Sequence, residues 1–174
     1  MEDVLKHQCP QSLDVHWIDH SLLFGAKIAP EYFSHLYQCL QIRLVVDLRS
    51  EDKDDKILLS RLGIKFLHLP TADRTSPSTD DFYTGVYEIK KSLAANEKVF
   101  IHCEYGIGRS AILACGVLVS LGKTPLAALN SVKLCREKVS PSPEQLYGFI
   151  EWSLSWYKNL RSSNQIHYSA ASNL

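Results

Sequence analysis

The chain has 174 residues, the size of one domain, enough to bury about 70% of the surface its unfolded form exposes. Nineteen Lys and Arg against nineteen Asp and Glu leave no formal net charge, which speaks against nucleic acid or an anionic membrane surface as an electrostatic partner. No apolar run reaches the ~18 residues of a membrane span, the opening MEDVLKHQCPQS lacks the apolar core of a signal peptide, and neither end shows a lipidation pattern.

In chain order, short strands are expected over 15–18 and 22–24, followed by a helix over 31–41 entered through Pro30. RLVVDL, 43–48, reads as a strand. A helix is expected over 51–62, with acids in its first turn and Gly63 past its end. A strand over 65–69 leads to the polar loop PTADRTSPSTDD and a long helix over 79–95, capped by Ser78 or Thr79. KVFIH, 98–102, has the pattern of a buried strand. SAILACGVLVSL, 110–121, is apolar on nearly every face and reads as a core helix. Two further helices are expected over 125–138 and 143–160. Strands alternating with helices argue an α/β fold, a mostly parallel sheet with helices on both faces. No repeat or linker divides the chain. It reads as an N-terminal extension (1–14), one domain (15–160) and a small-residue-rich polar tail (161–174) expected to fray.

Five cysteines, Cys9, Cys39, Cys103, Cys115 and Cys135, show no CxxC spacing, and the seven histidines form no HExxH pair. No metal site and no cofactor are expected. Cys39, Cys115 and Cys135 lie in apolar helical patterns and read as core thiols. A reducing, cytoplasmic setting suits free thiols.

Cys103 stands apart. It opens HCEYGIGRS, 102–110, between the buried strand and the core helix. Gly106 and Gly108 let the backbone turn tightly and approach a ligand, and Ser110 is placed to cap the helix. Loop amides at a helix N-terminus make an anion site. The helix dipole, those amides and Arg109 all favour the thiolate of Cys103, which is a nucleophile. Arg109 carries a planar fork that fits two oxygens of a phosphate. Phosphoryl transfer through a cysteinyl phosphate uses every part of this stretch.

HCEYGIGRS also fits the signature His-Cys-x-x-Gly-x-x-Arg-Ser/Thr of the cysteine-based protein tyrosine phosphatases. WIDHSLLFGAKIAPEYFSHLYQCLQIRLVVDLRSE resembles the opening of a small dual-specificity phosphatase domain, and GIKFLHLPTADRTSPSTDDF resembles its general-acid loop. The likeness covers roughly residues 15–160, with Ala111 where many members have glycine, and the compact atypical dual-specificity phosphatases are the branch it is most similar to. The resemblance implies the protein tyrosine phosphatase-like fold, Cys103 as nucleophile and Arg109 as the phosphate and transition-state binder. It also implies an acid in the loop after the 65–69 strand. Of Asp73, Asp80 and Asp81, Asp73 fits the family's place; the other two fall in the first turn of the next helix, where the dipole alone explains them. His102 is implied to order the loop. Ser110 either stabilises the departing thiolate or serves only as a cap. The amides of Glu104, Tyr105, Gly106, Ile107, Gly108 and Arg109 would bind the substrate phosphate.

The expected activity is hydrolysis of protein phosphotyrosine, with phosphoserine and phosphothreonine also open, by a monomer. Glu104, an acid beside the pocket, should disfavour polyanionic substrates. A phosphatase of inositol or lipid phosphates and a catalytically weak phosphoprotein-binding module are the alternatives.

Overall fold

The structure, a computed structural model, describes the backbone of residues 13–171 and the side chains of residues 13–162. Residues 1–12 of the expected extension, Cys9 among them, and 172–174 lie outside the described residues.

Five strands form one sheet in the order β1-β2-β5-β3-β4: β1 (Val15–Trp17), β2 (Leu22–Ala26), β3 (Ile42–Arg49), β4 (Lys65–Thr71) and β5 (Lys98–Cys103). The edge pair β1·β2 is antiparallel and the other three pairings are parallel, as the alternation of strands and helices led one to expect. Neighbouring residues on a strand face opposite ways, so β2, β3, β4 and β5 each feed two cores. Leu22, Phe24, Val46 and Ile101 pack with α3 (Thr79–Ala94), α4 (Arg109–Ser120), α5 (Pro125–Cys135) and α6 (Pro143–Ala171). Leu23, Val45 and Phe100 pack with α1 (Phe33–Gln38) and α2 (Lys56–Arg61) on the other face. Helix α4 lies at the centre of the larger core, with Arg109 to Val119 all buried. Full burial of each of its large aliphatic side chains is worth about 1.5–3 kcal/mol, and that clamps the helix carrying Arg109 behind the sheet.

Several boundaries differ from those read in the sequence. The helix expected over 31–41 is a 3-10 turn, Pro30–Tyr32, followed by the six-residue α1. Gln41, with φ 60°, reverses the chain before β3. The helix expected over 51–62 begins only at Lys56. Asp55 is its N-cap, accepting from the amides of Ile57 and Leu58, and the preceding acids form a loop. Helix α4 starts at Arg109 with Gly108 as its N-cap, so Ser110 lies inside the first turn and does not cap. Helix α6 continues to Ala171, eleven residues past the expected end at Leu160. No helix among the described residues is long and apolar enough to cross a membrane.

Candidate active site

The C-terminal ends of the parallel strands carry the site, as open α/β sheets favour. β5 ends on His102 and Cys103, β4 ends before Asp73, β3 ends before Glu51, and α4 begins with Arg109.

The loop between β5 and α4 has its carbonyls turned outward. The Glu104 carbonyl accepts from the Lys27 amide at 3.4 Å, and that of Ile107 accepts from the Ser140 amide at 2.9 Å. The Tyr105 carbonyl accepts from Arg136 Nη2 at 3.0 Å. The Arg136 guanidinium is itself buried and held by Asp14. Outward carbonyls leave inward amides, which make an anion-binding concavity. The Gly106 amide donates to Cys103 Sγ at 3.3 Å, and the Ser110 hydroxyl lies 3.4 Å from the same sulfur. Gly106 has φ 67°, and a Cβ there would come within 2.4 Å of the Gly25 and Ala26 backbone. Only glycine permits that turn against β2.

Arg109 is 2% exposed. Its Nη1 donates to Glu51 Oε2 at 2.8 Å and to the Thr71 carbonyl at 2.9 Å; its Nη2 donates to Glu51 Oε1 at 2.7 Å. A guanidinium has five N–H groups. These bonds leave the Nε proton and one Nη2 proton for a bidentate grip on an anion. Burial alone would make Arg109 easier to deprotonate, but the Glu51 hydrogen bonds and the nearby Cys103 and Asp73 raise its pKa above the ordinary value. Reciprocally, the hydrogen bond from Arg109 lowers the Glu51 carboxyl from 4.5 to about 2.

Asp73 is solvent-exposed, with Oδ1 3.4 Å from Arg109 Nη2. Its loop is pinned from the next residue. Arg74 takes a left-handed backbone, φ 62°, and its carbonyl accepts from the Ser142 hydroxyl at 2.5 Å. Ser142 and Gln145 form a capping box at the start of α6: the Gln145 amide donates to Ser142 Oγ at 3.1 Å and the Ser142 amide to Gln145 Oε1 at 2.9 Å. The acid loop is thereby fastened to the wall formed by the start of α6. A cavity of about 400 Å³ lies between them, lined by Asp73, Arg74, Cys103, Tyr105, Arg109 and Gln145, with Ile107, Gly108 and residues 140–143 completing it.

The sequence-chosen residues thus meet, with two qualifications. Asp80 and Asp81 lie in the first turn of α3, where Asp81 accepts from the Ser78 hydroxyl, so neither shares the cavity wall. Glu104 does not face the cavity. Its carboxylate is paired with Lys27 Nζ at 2.6 Å and lies 3.7 Å from Arg49 Nη1. The premise that Glu104 repels polyanionic substrates therefore fails, because its charge is spent outside the pocket. His102 is fully buried, with Nε2 bonded to Asp54 Oδ2 at 2.9 Å and Nδ1 without a hydrogen-bond partner. Glu51, Asp54 and Lys27 are the site residues that sequence reasoning passed over. The signal was Asp55, separated only by Lys56 from the apolar run Ile57–Leu59, an N-cap placement that releases Glu51–Asp54 from the helix.

The chain matches the model of the dual specificity phosphatase catalytic domain over residues 27–154. It belongs to that family, within the cysteine-based phosphatases. Among curated proteins it is 29% identical over 139 residues to human phosphatidylglycerophosphatase and protein-tyrosine phosphatase 1, covering 75% of this chain and 69% of the relative. It is 31% identical over 86 residues to the probable protein tyrosine phosphatase type IVA B of Dictyostelium discoideum, covering 47% of this chain and 53% of that one. Among solved structures, PTPMT1 superposes with a TM-score of 0.79 at 23% identity, over 85% of this chain and 99% of the other. Human DUSP28 gives 0.73 at 16% identity, over 86% and 99%. The fold is that of the small dual-specificity phosphatases.

Proposed function

We propose that this phosphatase hydrolyses phosphate monoesters through a cysteinyl phosphate on Cys103, and that protein phosphotyrosine is its substrate. The carrying observation is the arrangement of Cys103 Sγ beneath inward-facing loop amides with the free edge of Arg109 beside it. The dianion lies on those amides and on Arg109, and the Cys103 thiolate attacks phosphorus in line. The ester P–O bond breaks as Asp73 delivers its proton to the leaving oxygen. A water then attacks the cysteinyl phosphate, Asp73 takes up its proton, the P–S bond breaks and inorganic phosphate leaves. The hydroxyl of Ser110, 3.4 Å from the sulfur, stabilises the thiolate as it is released. Fixed amides and a guanidinium suit the charge that spreads over the phosphoryl oxygens.

The cavity supports a single-phosphate ester with an apolar body. Tyr105, Ile107, Pro141 and Pro143 line its lips, and Arg109 and Arg74 are the lining cations. A phosphotyrosine ring fits such walls. A lipid phosphomonoester is the second reading. It is favoured by the neutralised Glu104, which offers no charge against a lipid headgroup, and by the name of the human relative, which gives both activities. A reducing cytoplasm suits the free thiols of Cys103, Cys115 and Cys135.

The test is a kcat/KM panel of an aryl phosphate, phosphotyrosine and phosphoserine peptides, and phosphatidylglycerophosphate in mixed micelles. The phosphotyrosine peptide should rank first among the physiological classes. The lipid ranking first replaces the protein reading with the lipid one. Binding without hydrolysis of any substrate defeats the phosphatase reading altogether.

A further inference from the structure

Behind the phosphate loop lies a second set of charges that the reaction as described does not touch. Arg49, at the end of β3, is 3% exposed at its side chain, Asp47 and His102 are wholly buried, and Asp54 is 5% exposed. The Arg49 guanidinium gathers three carboxylates. Nε and Nη2 donate to the two oxygens of Asp47 at 3.0 and 2.9 Å, Nη2 also to Asp54 Oδ1 at 2.7 Å, and Nη1 to Asp52 Oδ2 at 3.0 Å. The Asp54 amide donates back to Asp47 Oδ2 at 3.1 Å. Arg49 keeps a pKa above its ordinary value although burial works against it, because Asp47, Asp54 and Asp52 surround it. Asp47, Asp54 and His102 have donor atoms within 4.8 Å of one another, a spacing a cation could use. The guanidinium already bridges the two carboxylates there.

Buried ion pairs are weak evidence for stability, because desolvation offsets their attraction; their attested use is to fix one geometry. The geometry fixed here is that of the segment 50–54. This segment touches the phosphate loop at both ends. Glu51 holds Arg109, the first residue of α4. Three residues on, Asp54 holds His102, the residue before the nucleophile. On the far side of Arg49, Nη1 lies 3.7 Å from Glu104 Oε2, the residue after the nucleophile.

We propose that Arg49 and Asp54 are positioning residues for the phosphatase reaction, acting as a brace that sets the spacing between Cys103 and Arg109 through the single segment 50–54. The inference rests on the reading of Cys103 as nucleophile and Arg109 as phosphate binder. Arg49 locks the segment, Asp54 ties it to the strand end that carries Cys103, and Glu51 ties it to the helix start that carries Arg109. Neither Arg49 nor Asp54 touches substrate. Loosening either lets the guanidinium drift relative to the sulfur, and misplacement of about 1 Å can cost ~10²-fold in rate.

The experiment is a double-mutant cycle on Asp54→Asn and Glu51→Gln, with Arg49→Lys as a companion that keeps charge but loses the fork. It has two readouts: kcat/KM on aryl phosphates of graded leaving-group ability, and tungstate affinity by calorimetry in a Cys103→Ser background. Folding is checked by circular dichroism and thermal unfolding. Folded Asp54→Asn should lose about 10²-fold in kcat/KM, equally for good and poor leaving groups, since Arg109 acts on the non-bridging oxygens. It should also bind tungstate more weakly. The double variant should be no worse than the weaker single variant within about threefold, because both acids act through one segment. A folded Asp54→Asn protein that keeps wild-type kcat/KM and tungstate affinity overturns the proposal, as does a full multiplication of the two losses. If Asp54→Asn does not fold, Asp52→Asn decides, since that side chain is 64% exposed. It should lower kcat/KM a few-fold, and only while Glu51 is present; no loss overturns the brace. A wild-type chain that binds tungstate but cleaves no ester defeats the phosphatase reading instead, and the brace is then judged on tungstate affinity alone.

Discussion

The Glu51 carboxylate clasps the Arg109 guanidinium at both terminal nitrogens, 2.8 Å from Nη1 and 2.7 Å from Nη2. The pair leaves the other edge of Arg109 turned to the cavity, so the guanidinium is oriented before any substrate arrives. Preorganisation of this kind spares reorganisation at the moment of reaction.

The clasp has a defined pH range. Arg109 lowers the Glu51 carboxyl to about 2, so its contribution is complete above the ordinary value of 4.5 and is lost only as pH falls through about 2. Glu51 therefore does not titrate in the usual assay range. Glu51→Gln should lower kcat/KM by roughly 10- to 100-fold, the worth of a charged hydrogen bond. The acidic limb of the pH–rate profile should stay where it is in wild type. A displaced acidic limb in this variant would assign that limb to Glu51 and contradict the clasp.

Asp73 is tested by leaving group. Asp73→Asn should slow phosphotyrosine peptide hydrolysis by about 10²–10⁴-fold, and the loss should shrink for an activated aryl ester whose phenoxide departs unprotonated. Asp80→Asn and Asp81→Asn should stay within a few-fold of wild type. The Ser78 cap, which accepts from the Asp81 amide, is untouched in Asp81→Asn, and the new carboxamide oxygen can still accept from the Ser78 hydroxyl, so thermal stability should change little. A large, leaving-group-dependent loss at Asp80 or Asp81 with Asp73→Asn unaffected would move the acid along the loop.

Two glycines separate strain from crowding. Gly106 (φ 67°) and Gly122 (φ 104°) both need a left-handed backbone, but a Cβ on Gly122 meets nothing within 4 Å, whereas one on Gly106 strikes the Gly25 and Ala26 backbone. Gly122→Ala should cost about 1–2 kcal/mol of stability and leave kcat/KM alone. Gly106→Ala should cost more and also disable catalysis, because the loop must move off Cys103. Equal activity in the two variants would show that the turn at Gly106 is not needed to form the anion site.

Thiol chemistry should be selective. Burial pushes the Cys115 thiol up to about 12, and burial also raises that of Cys135, so both remain protonated and slow at neutral pH. Cys103 has the Gly106 amide and the Ser110 hydroxyl to support a thiolate. Peroxide should inactivate the enzyme at Cys103 first, and a dithiol should restore it. Peptide mapping that finds Cys135 or Cys39 oxidised ahead of Cys103 would contradict this.

Much of the fold was legible because its signals are local. KVFIH and SAILACGVLVSL carry their burial in plain composition, and β5 and α4 lie where they were expected. The proposed nucleophile Cys103 and phosphate binder Arg109 were legible in one short motif with fixed spacing, and the proposed acid Asp73 in the family resemblance of its loop. What escaped were contacts across the sheet. EDKDD could be read as first-turn acids until Asp55 was seen to cap α2, because nothing in a one-dimensional string shows that Glu51 reaches a residue 58 positions away. Glu104 was misjudged for the same reason. Its sequence neighbour is Cys103, but its charge partner is Lys27, 77 positions earlier, just past the end of β2 that pairs with β5.

The central claim is that Cys103 forms a covalent phosphoenzyme. Cys103→Ser places a neutral hydroxyl where the thiolate was and leaves the amides and Arg109 in position. The decisive measurement is turnover of an aryl phosphate by a clean Cys103→Ser preparation, alongside calorimetric binding of phosphate to the same protein. Turnover should be absent with phosphate affinity retained. Hydrolysis persisting in Cys103→Ser would contradict the claim.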